Sequence, residues 1–537
     1  MNRMIRVSQI KININEAQDK LQSLILKKLK IKENELLDFR IFKSAIDARR
    51  GTIDFVYTVD VTVKHEDRIV SKNLPNVSIS PNLTYPMPTI VKAIPDKRPI
   101  VVGFGPAGMF AALLLAQCGY RPLVLERGGD VDTRVDSIDQ FFKAGVLDPE
   151  SNIQFGEGGA GTFSDGKLTT RVKDLRGRKV LEELVRAGAP EDILYAAHPH
   201  VGTDLLRNIV KNIREEIISL GGEVRFHTRV CDFVINDGYI KGVKTNRGEV
   251  MESNHVIVAV GHSARDTFEK MYERQIEIVA KPFAIGARIE HPQTLIDQAQ
   301  YKAFAGHEKL GAAEYRLTHK ATNGRGVYTF CMCPGGTVVA SSSEANRLVT
   351  NGMSEYARDQ ENANSAVLVQ VGVEDFKTNH PLAGIDFQRD LEEKAFRLGG
   401  SNYKAPAQRV EDFLANRPSK QLGTVKPSYP LGVALTNLHD LFPVEICEAM
   451  KEGLQAFDRK LTGFAIDDAI LTAVESRSSS PVRLPRDQKT LQSTTVSGLY
   501  PAGEGAGFSG GIVSSAIDGL KCAEAVIRQT AIRSPRP

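Results

Sequence analysis

The chain has no uninterrupted apolar run near the ~18 residues that a membrane-spanning helix needs. The longest candidate runs only from Met109 to Ala116. Lysines punctuate Leu21 to Lys30, so the N-terminal region lacks the apolar core of a secretory signal, and a cytoplasmic location is expected. Cysteine is sparse: Cys118, Cys231, Cys331, Cys333, Cys447 and Cys522 contain no CxxC and no framework spacing, which excludes a disulfide scaffold and suits free thiols in a reducing compartment. Charge of one sign is scarce as well. The formal net charge is +4, and residues 1–70 hold 14 Lys/Arg against 10 Asp/Glu, which leaves 55 of each elsewhere. So slight a surplus gives no electrostatic footprint for nucleic acid and reads as a solvated face. His198 and His200 flank Pro199 with no Cys or carboxylate cluster nearby in sequence, so no metal site is expected.

What is present begins with RPIVVGFGPAGMFAALLLAQCGYRPLVLER, from Arg98 to Arg127. It predicts a strand at Pro99 to Val102, a helix from Pro106 to Cys118 stopped by Gly119, and a second strand at Pro122 to Leu125. Between first strand and helix stand Gly103, Gly105 and Gly108, the GxGxxG spacing of a dinucleotide-binding turn. The first glycine permits the tight turn, the second admits a pyrophosphate against the backbone, and the third lets helix and strand pack closely. The helix N-terminus offers unpaired N–H groups and the positive end of its dipole to an anion, and Pro106 at the first turn sacrifices no donor. Glu126 closes the second strand, about where the motif places the acid that hydrogen-bonds a ribose hydroxyl.

The length implies two or three domains, and the composition is that of a soluble globular protein. Residues 1–70 predict a small α+β domain with a helix face at Ala17, Leu21, Leu24, Ile25 and Leu29, capped by Asn13 or Asn15, then strands near Phe39 to Ala45 and over Asp54 to Val63. Six prolines between Ser71 and Pro99 make 71–95 a linker. A second glycine cluster, Gly156 to Gly161, precedes Thr162-Phe163-Ser164-Asp165-Gly166-Lys167 and suits close backbone contact with a cofactor. It carries no cysteine pair. Short strands at 223–226, 228–236, 240–245 and 255–260 read as a β-meander returning to the parent sheet, with Val230 passing an adenine and Gly261 at a close backbone approach. Between Arg274 and Gln492, the stretch Lys281 to Arg288 is either a cavity wall or a plain strand. The CxC at Cys331 and Cys333 suits buried thiols better than a redox pair or metal site. Glu475 to Arg483 clusters cations with hydroxyls, as an anionic ligand or a polar loop would have it. The C-terminal GLYPAGEGAG predicts a strand ending at Gly503 and Glu504, followed by a helix from Ile512; a carboxylate there can accept from a sugar-alcohol hydroxyl, which a ribityl chain has and NAD lacks.

The GFGPAG turn with Glu126, the VIVAVG strand and the GLYPAGEGAG segment together resemble the FAD-binding fold of the glutathione-reductase-like flavoprotein superfamily. More narrowly, SAIDAR (Ser44 to Arg49), FCMCPGG and ESRSSSPVR are similar to a bacterial family labelled FAD-dependent or NAD(FAD)-utilising dehydrogenases, over nearly the whole chain. The resemblance implies an α/β fold, with a Rossmann-like FAD-binding domain of glutathione-reductase type over 96–273 plus 480–537, an inserted α+β cap domain over 274–479 and the small N-terminal α+β domain. It implies an FAD-dependent oxidoreductase (dehydrogenase) that moves hydride to or from flavin N5 while the protein supplies orientation and water exclusion. Expected FAD contacts are Gly103, Gly105, Pro106, Ala107, Gly108, Glu126, Arg127, Gly158, Gly159, Gly161, Lys167, Val230, Gly261, Gly503, Glu504, Gly511 and Ile512. Nominated for catalysis are Lys281, Arg288 and Arg477. The expected partner is a small-molecule substrate; NAD(P)H is kept as a candidate reductant, although no second GxGxxG lies between Gly261 and Gly498 to bind it and its absence counts against direct reduction by a nicotinamide. The alternatives are a structural or sensory FAD, or flavin-dependent modification of a macromolecule such as RNA.

Overall fold

Alternation of apolar and polar residues makes Asp54–Val63 the middle of the first sheet, with Tyr57, Val59, Val61 and Val63 on its buried face. The computed structural model describes residues 4–49, 51–88, 96–170 and 172–533. Antiparallel neighbours of that strand are Leu36–Asp47 on one side and Ile5–Asn13 on the other, and Val77–Ile79 closes the far edge. Helix Lys20–Leu29 covers the sheet through Leu21, Ile25 and Leu29. One expectation fails here, and one strand goes unread. Asn13 ends the first strand and accepts from the Asn15 N–H, so neither asparagine caps the helix; Asp19 stands at that position and makes no side-chain cap. The Ile5–Asn13 strand escapes sequence reading because its register shifts between Val7 and Ile10, with Gln9 left-handed at φ 57°, which breaks the two-residue period. Val77–Ile79 also carries this sheet beyond residue 70. Part of the expected linker, residues 89–95, falls outside the described residues.

The second sheet is parallel, with strand order Leu499–Pro501, Val256–Val258, Ile100–Val102, Leu123–Leu125, Glu223–Arg225. Helix Pro106–Gln117 follows the central strand and is buried from Ala107 to Ala116, since the last helix, Ile512–Arg533, packs against it. A helix covered on every side carries no polar face, which explains its uniformly apolar sequence. Glu223–Arg225 joins this parallel sheet as its outer strand. The antiparallel meander therefore consists of Val230–Asn236, Tyr239–Thr245 and Val250–Glu252.

The cap is a seven-stranded sheet, in order Thr318–Lys320, Gly326–Cys333, Asn362–Val371, Phe283–Pro292, Ile470–Glu475, Ala405–Arg409, Val433–Leu435. Its central strand is buried along Phe283 to His291, and helices Ala383–Leu398 and Val444–Lys460 cover it. Where the chain enters and leaves the cap, Val279–Ala280 pairs with Val482–Arg483. The N-terminal domain touches both larger units. Ser44 exchanges backbone bonds with Tyr195 (2.7 Å) and Ala197 (2.8 Å), while the Lys309 ammonium donates to the carbonyls of Ile14 and Glu16. No helix among the described residues is long and apolar enough to cross a membrane.

Candidate cofactor cavity

The turn after Ile100–Val102 is built as its glycines require. Gly103 has φ +94°, and a Cβ there would lie 2.5 Å from the Ala259 carbonyl oxygen; a Cβ on Gly108 would lie 2.0 Å from the Gly103 oxygen. These two are glycine for conformation and helix–strand packing. Gly105 is different. Its φ of −74° is open to any residue, and a Cβ would meet only the Gly159 Cα, at an ordinary 3.6 Å. What a side chain at Gly105 would consume is space in the cavity beside it. The same holds for Gly510, where a Cβ would meet nothing within 4 Å.

That cavity has a volume of about 1050 Å³ and is walled by segments far apart in the chain: the 103–107 turn, Glu126 and Arg127, the 156–167 stretch, Val230, Val260 to Ala264, and Gly503 to Ile512. It stands at the upper end of small-molecule sites, which run to about 1,000 Å³. Of the expected cofactor contacts, all but Gly108 and Gly158 line it. Gly158 lies behind the turn, where its N–H donates to the Phe104 carbonyl at 2.9 Å and its left-handed φ of +78° fits the bend. Gly159 sits against Gly105, so the second glycine cluster closes over the first.

Glu126 is buried with its carboxylate already engaged. One oxygen accepts from the N–H groups of Gly128 (3.0 Å) and Gly156 (2.9 Å), and the other from Phe104 (2.7 Å). A carboxylate has about four acceptor positions, so one remains on the Phe104-bonded oxygen for a hydroxyl in the cavity. Arg127 stacks on Phe155 and pairs with Asp266 and Glu150, which fixes the wall beside it. At the opposite wall Gly503 is held by its N–H donating to Asp518 (2.7 Å), Glu504 lines the cavity, and the final helix starts at Ile512 with Gly511 before it. The residues therefore fit a dinucleotide: an acid with a free acceptor site for a sugar hydroxyl, two helix N-termini, and a glycine cradle that a Cβ would fill.

The cap completes the other end with charge. Asp165 accepts from Arg358 (3.0 and 2.5 Å) and from the Ser354 hydroxyl, and Arg358 continues to Glu314 (2.7 Å), which faces His198 at 3.5 Å. Burial opposes ionisation of Glu314, but His198, Lys167 and Arg358 hold its carboxyl down at about 2. Lys167 pairs with Asp165 at 3.4 Å, while its buried ammonium makes no hydrogen bond in the structure.

The three residues nominated for catalysis are not brought together as reactive groups. Arg477 lines the cavity, but its guanidinium is bidentate to the buried Glu392 (2.9 and 2.8 Å) and reaches Ser343 (2.6 Å). Glu392 also receives Arg265, so this is a buried charge network that fixes the cap. Lys281 lies outside the cavity wall, its stretch being the approach to a plain strand, and its ammonium reaches the Ser480 carbonyl at 3.4 Å. Arg288 is fully buried one layer behind the wall. It donates to Asn364 (2.6 Å), the Cys331 carbonyl (2.8 Å) and, more weakly, Glu475 (3.3 Å). Sequence reasoning gave no role to Glu475, a wall residue whose carboxyl is pushed up to about 7, chiefly by burial. It sat in view at the head of the ESRSSSPVR motif, but nothing local marks its burial. Among the described residues, no cluster of three His, Cys, Asp or Glu side chains could hold a metal ion.

Comparison with known proteins adds three kinds of likeness. A family described as FAD-dependent protein, C-terminal domain-like matches residues 282–478, which is the cap, and a domain of unknown function matches 4–62. An uncharacterized protein of Clostridium beijerinckii is 50% identical over 529 residues, 98% of this chain and 99% of that one. Solved structures that resemble the chain include the halogenase PltM (TM-score 0.39, 10% identity, 81% of this chain and 70% of that one). A glycine oxidase from Bacillus cereus aligns with TM-score 0.32 and 10% identity, over 81% of this chain and 98% of that one.

Proposed function

We propose a function for a chain that belongs to the same family as the Clostridium beijerinckii protein: it is an FAD-dependent oxidoreductase of glutathione-reductase-type layout, acting on a small molecule held between the parallel sheet and the cap. One observation carries the reading. Stretches of chain separated by hundreds of residues wall a single cavity, and at Gly105 the wall is glycine although neither backbone angle nor packing demands it. Glu126 and Arg127 would hold the adenosine end. The 103–107 turn and the start of the last helix would flank the diphosphate, Glu504 would meet the ribityl chain, and the wall from Lys167 to Glu475 would face the redox-active ring. FAD, when bound, supplies two-electron chemistry by exchanging hydride at N5.

The chain's own residues supply the rest. The cap covers the ring end and excludes water, the Lys167 ammonium favours an anionic group beside the reacting carbon, and Glu475 is poised to hold or release a proton near neutral pH. The family name of the cap region, FAD-dependent protein, supports this reading. Anaerobic addition of NADH or NADPH to the flavin-loaded protein tests it: bleaching of the flavin band within a turnover-like time, followed by recolouring with an electron-accepting substrate, is the expected behaviour. A bound flavin that neither nicotinamide nor a panel of small-molecule donors bleaches contradicts an oxidoreductase.

A further inference from the structure

The strand Gly326–Cys333 does not end regularly. Its pairing with Asn362–Val371 slips between Phe330 and Cys333, and Cys331 is left-handed at φ 45°, a conformation that a side chain with a Cβ seldom adopts. Strained residues at a bulge in a cavity wall are a recurring mark of function. The slip sets Cys331 in the wall and Cys333 directly behind it, buried, with its thiol 3.2 Å from the Cys331 carbonyl oxygen. Arg288 grips the pair from below, through the Cys331 carbonyl at 2.8 Å and the Cys333 sulfur at 3.6 Å, and the same guanidinium meets Glu475. The remaining four cysteines are elsewhere, and three of them are buried.

We propose that Cys331 and Cys333 are a thiol–disulfide exchange centre, with Cys331 the attacking and Cys333 the resolving sulfur, acting on a low-molecular-weight disulfide that enters the cavity. The Cys331 thiolate attacks one sulfur of the substrate, the S–S bond breaks, and the first product leaves as a thiolate. Cys333, on losing its proton, then attacks the mixed disulfide at Cys331, which forms the Cys331–Cys333 bond and releases the second product. The balance is one protein dithiol and one substrate disulfide in, one protein disulfide and two thiols out, with no further oxidant. Lys167 provides positive charge on the cavity side, where the attacking sulfur and the first leaving sulfur are anionic. The electrostatics run the same way. A hydrogen bond from the Cys333 thiol, followed by the charges of Lys167 and Arg288, outweighs burial and lowers the Cys331 thiol, while Cys333 is pushed up. Such a split suits a nucleophile in front and a protonated partner behind.

This centre deepens the flavoenzyme reading, because it sets a dithiol beside the proposed ring, but the exchange itself needs no flavin. The test uses full-length protein with Cys231→Ser, which removes the one partly exposed cysteine outside the pair, and the aromatic disulfide 5,5′-dithiobis(2-nitrobenzoate) near pH 7. The expected result is a fast release of two equivalents of aryl thiolate per chain, no retained aryl adduct by intact mass, and a Cys331–Cys333 link by peptide mapping. Adding Cys333→Ser leaves one equivalent and a stable adduct on Cys331, and adding Cys331→Ser abolishes the fast phase. A persistent adduct in the parent protein, a fast phase that survives Cys331→Ser, or no fast phase in protein whose thiols titrate once unfolded would overturn the proposal. Running it on flavin-loaded and flavin-free protein separates the two claims: exchange without flavin binding sinks only the proposed function, and flavin binding without exchange sinks only this one.

Discussion

The two ends of the cavity are made of different material. At the parallel-sheet end the contacts are backbone: N–H groups of a turn, two helix starts, and a carboxylate that already ties three amides together. At the cap end they are buried charges joined over long distances, such as Arg288 with Glu475, 187 residues apart, and Glu392 between Arg265 and Arg477. The first end follows from local chain geometry and suits a cofactor common to many proteins. The second exists only once the cap has folded, which suits the part of a site that tells one substrate from another.

That contrast can be broken from either side. Glu392→Ala should have the largest effect, because it takes the shared carboxylate from two buried guanidinium groups, leaving Arg265 with Glu344 and Gln388 and Arg477 with Ser343; a loss of about 3–5 kcal/mol in urea unfolding of the flavin-free protein is expected. A loss below 1 kcal/mol would show that the cap does not depend on that network. Glu475 sharpens the same end through pH. Its carboxyl is raised to about 7 in the folded state by burial, so between the ordinary carboxylate range and about 7 the native protein holds a proton that the unfolded chain has lost. Stability contributed by this group is therefore full below about pH 4.5 and falls as pH rises through 7, by about 3 kcal/mol. Glu475→Gln should flatten that part of the stability–pH curve, and an unchanged slope would remove Glu475 from the account.

At the other end the expected effects fall on cofactor affinity. Gly105→Val should weaken FAD binding at least 100-fold, about 2.7 kcal/mol, with circular dichroism unchanged because the backbone there is ordinary. Glu126→Gln should cost about tenfold in affinity, or about 1.4 kcal/mol, since it replaces an acceptor pair by one acceptor and a donor facing N–H groups. Titration with FAD followed by flavin fluorescence reads both variants. Equal losses from Glu392→Ala and Gly105→Val in FAD affinity would mean that the two ends are not separable.

How much was legible follows the same division. The 98–127 stretch, its turn, and the returning strand before Gly261 could be read from sequence, because each is a short run whose glycines and apolar residues answer to neighbours a few positions away. Arg288, Arg477 and Lys281 could not be placed. Arg288 and Arg477 find their partners on strands and helices paired across the cap, and a cation that neutralises a buried carboxylate looks in sequence like one that waits for a ligand, while Lys281 reaches only the Ser480 carbonyl. Glu475 was hidden for the complementary reason, since burial is a property of the whole cap. Cys331 and Cys333 were visible as a spacing, but the slipped register that sets one sulfur in the wall and the other behind it was not.

Whether the walls of the cavity enclose an FAD is decided by flavin content: the purified full-length protein, or the same protein incubated with FAD and desalted, is denatured and its released flavin measured. One FAD per chain is expected for the wild type and almost none for Gly105→Val. A colourless wild-type protein that takes up no added FAD, or a Gly105→Val variant fully loaded with it, would contradict it.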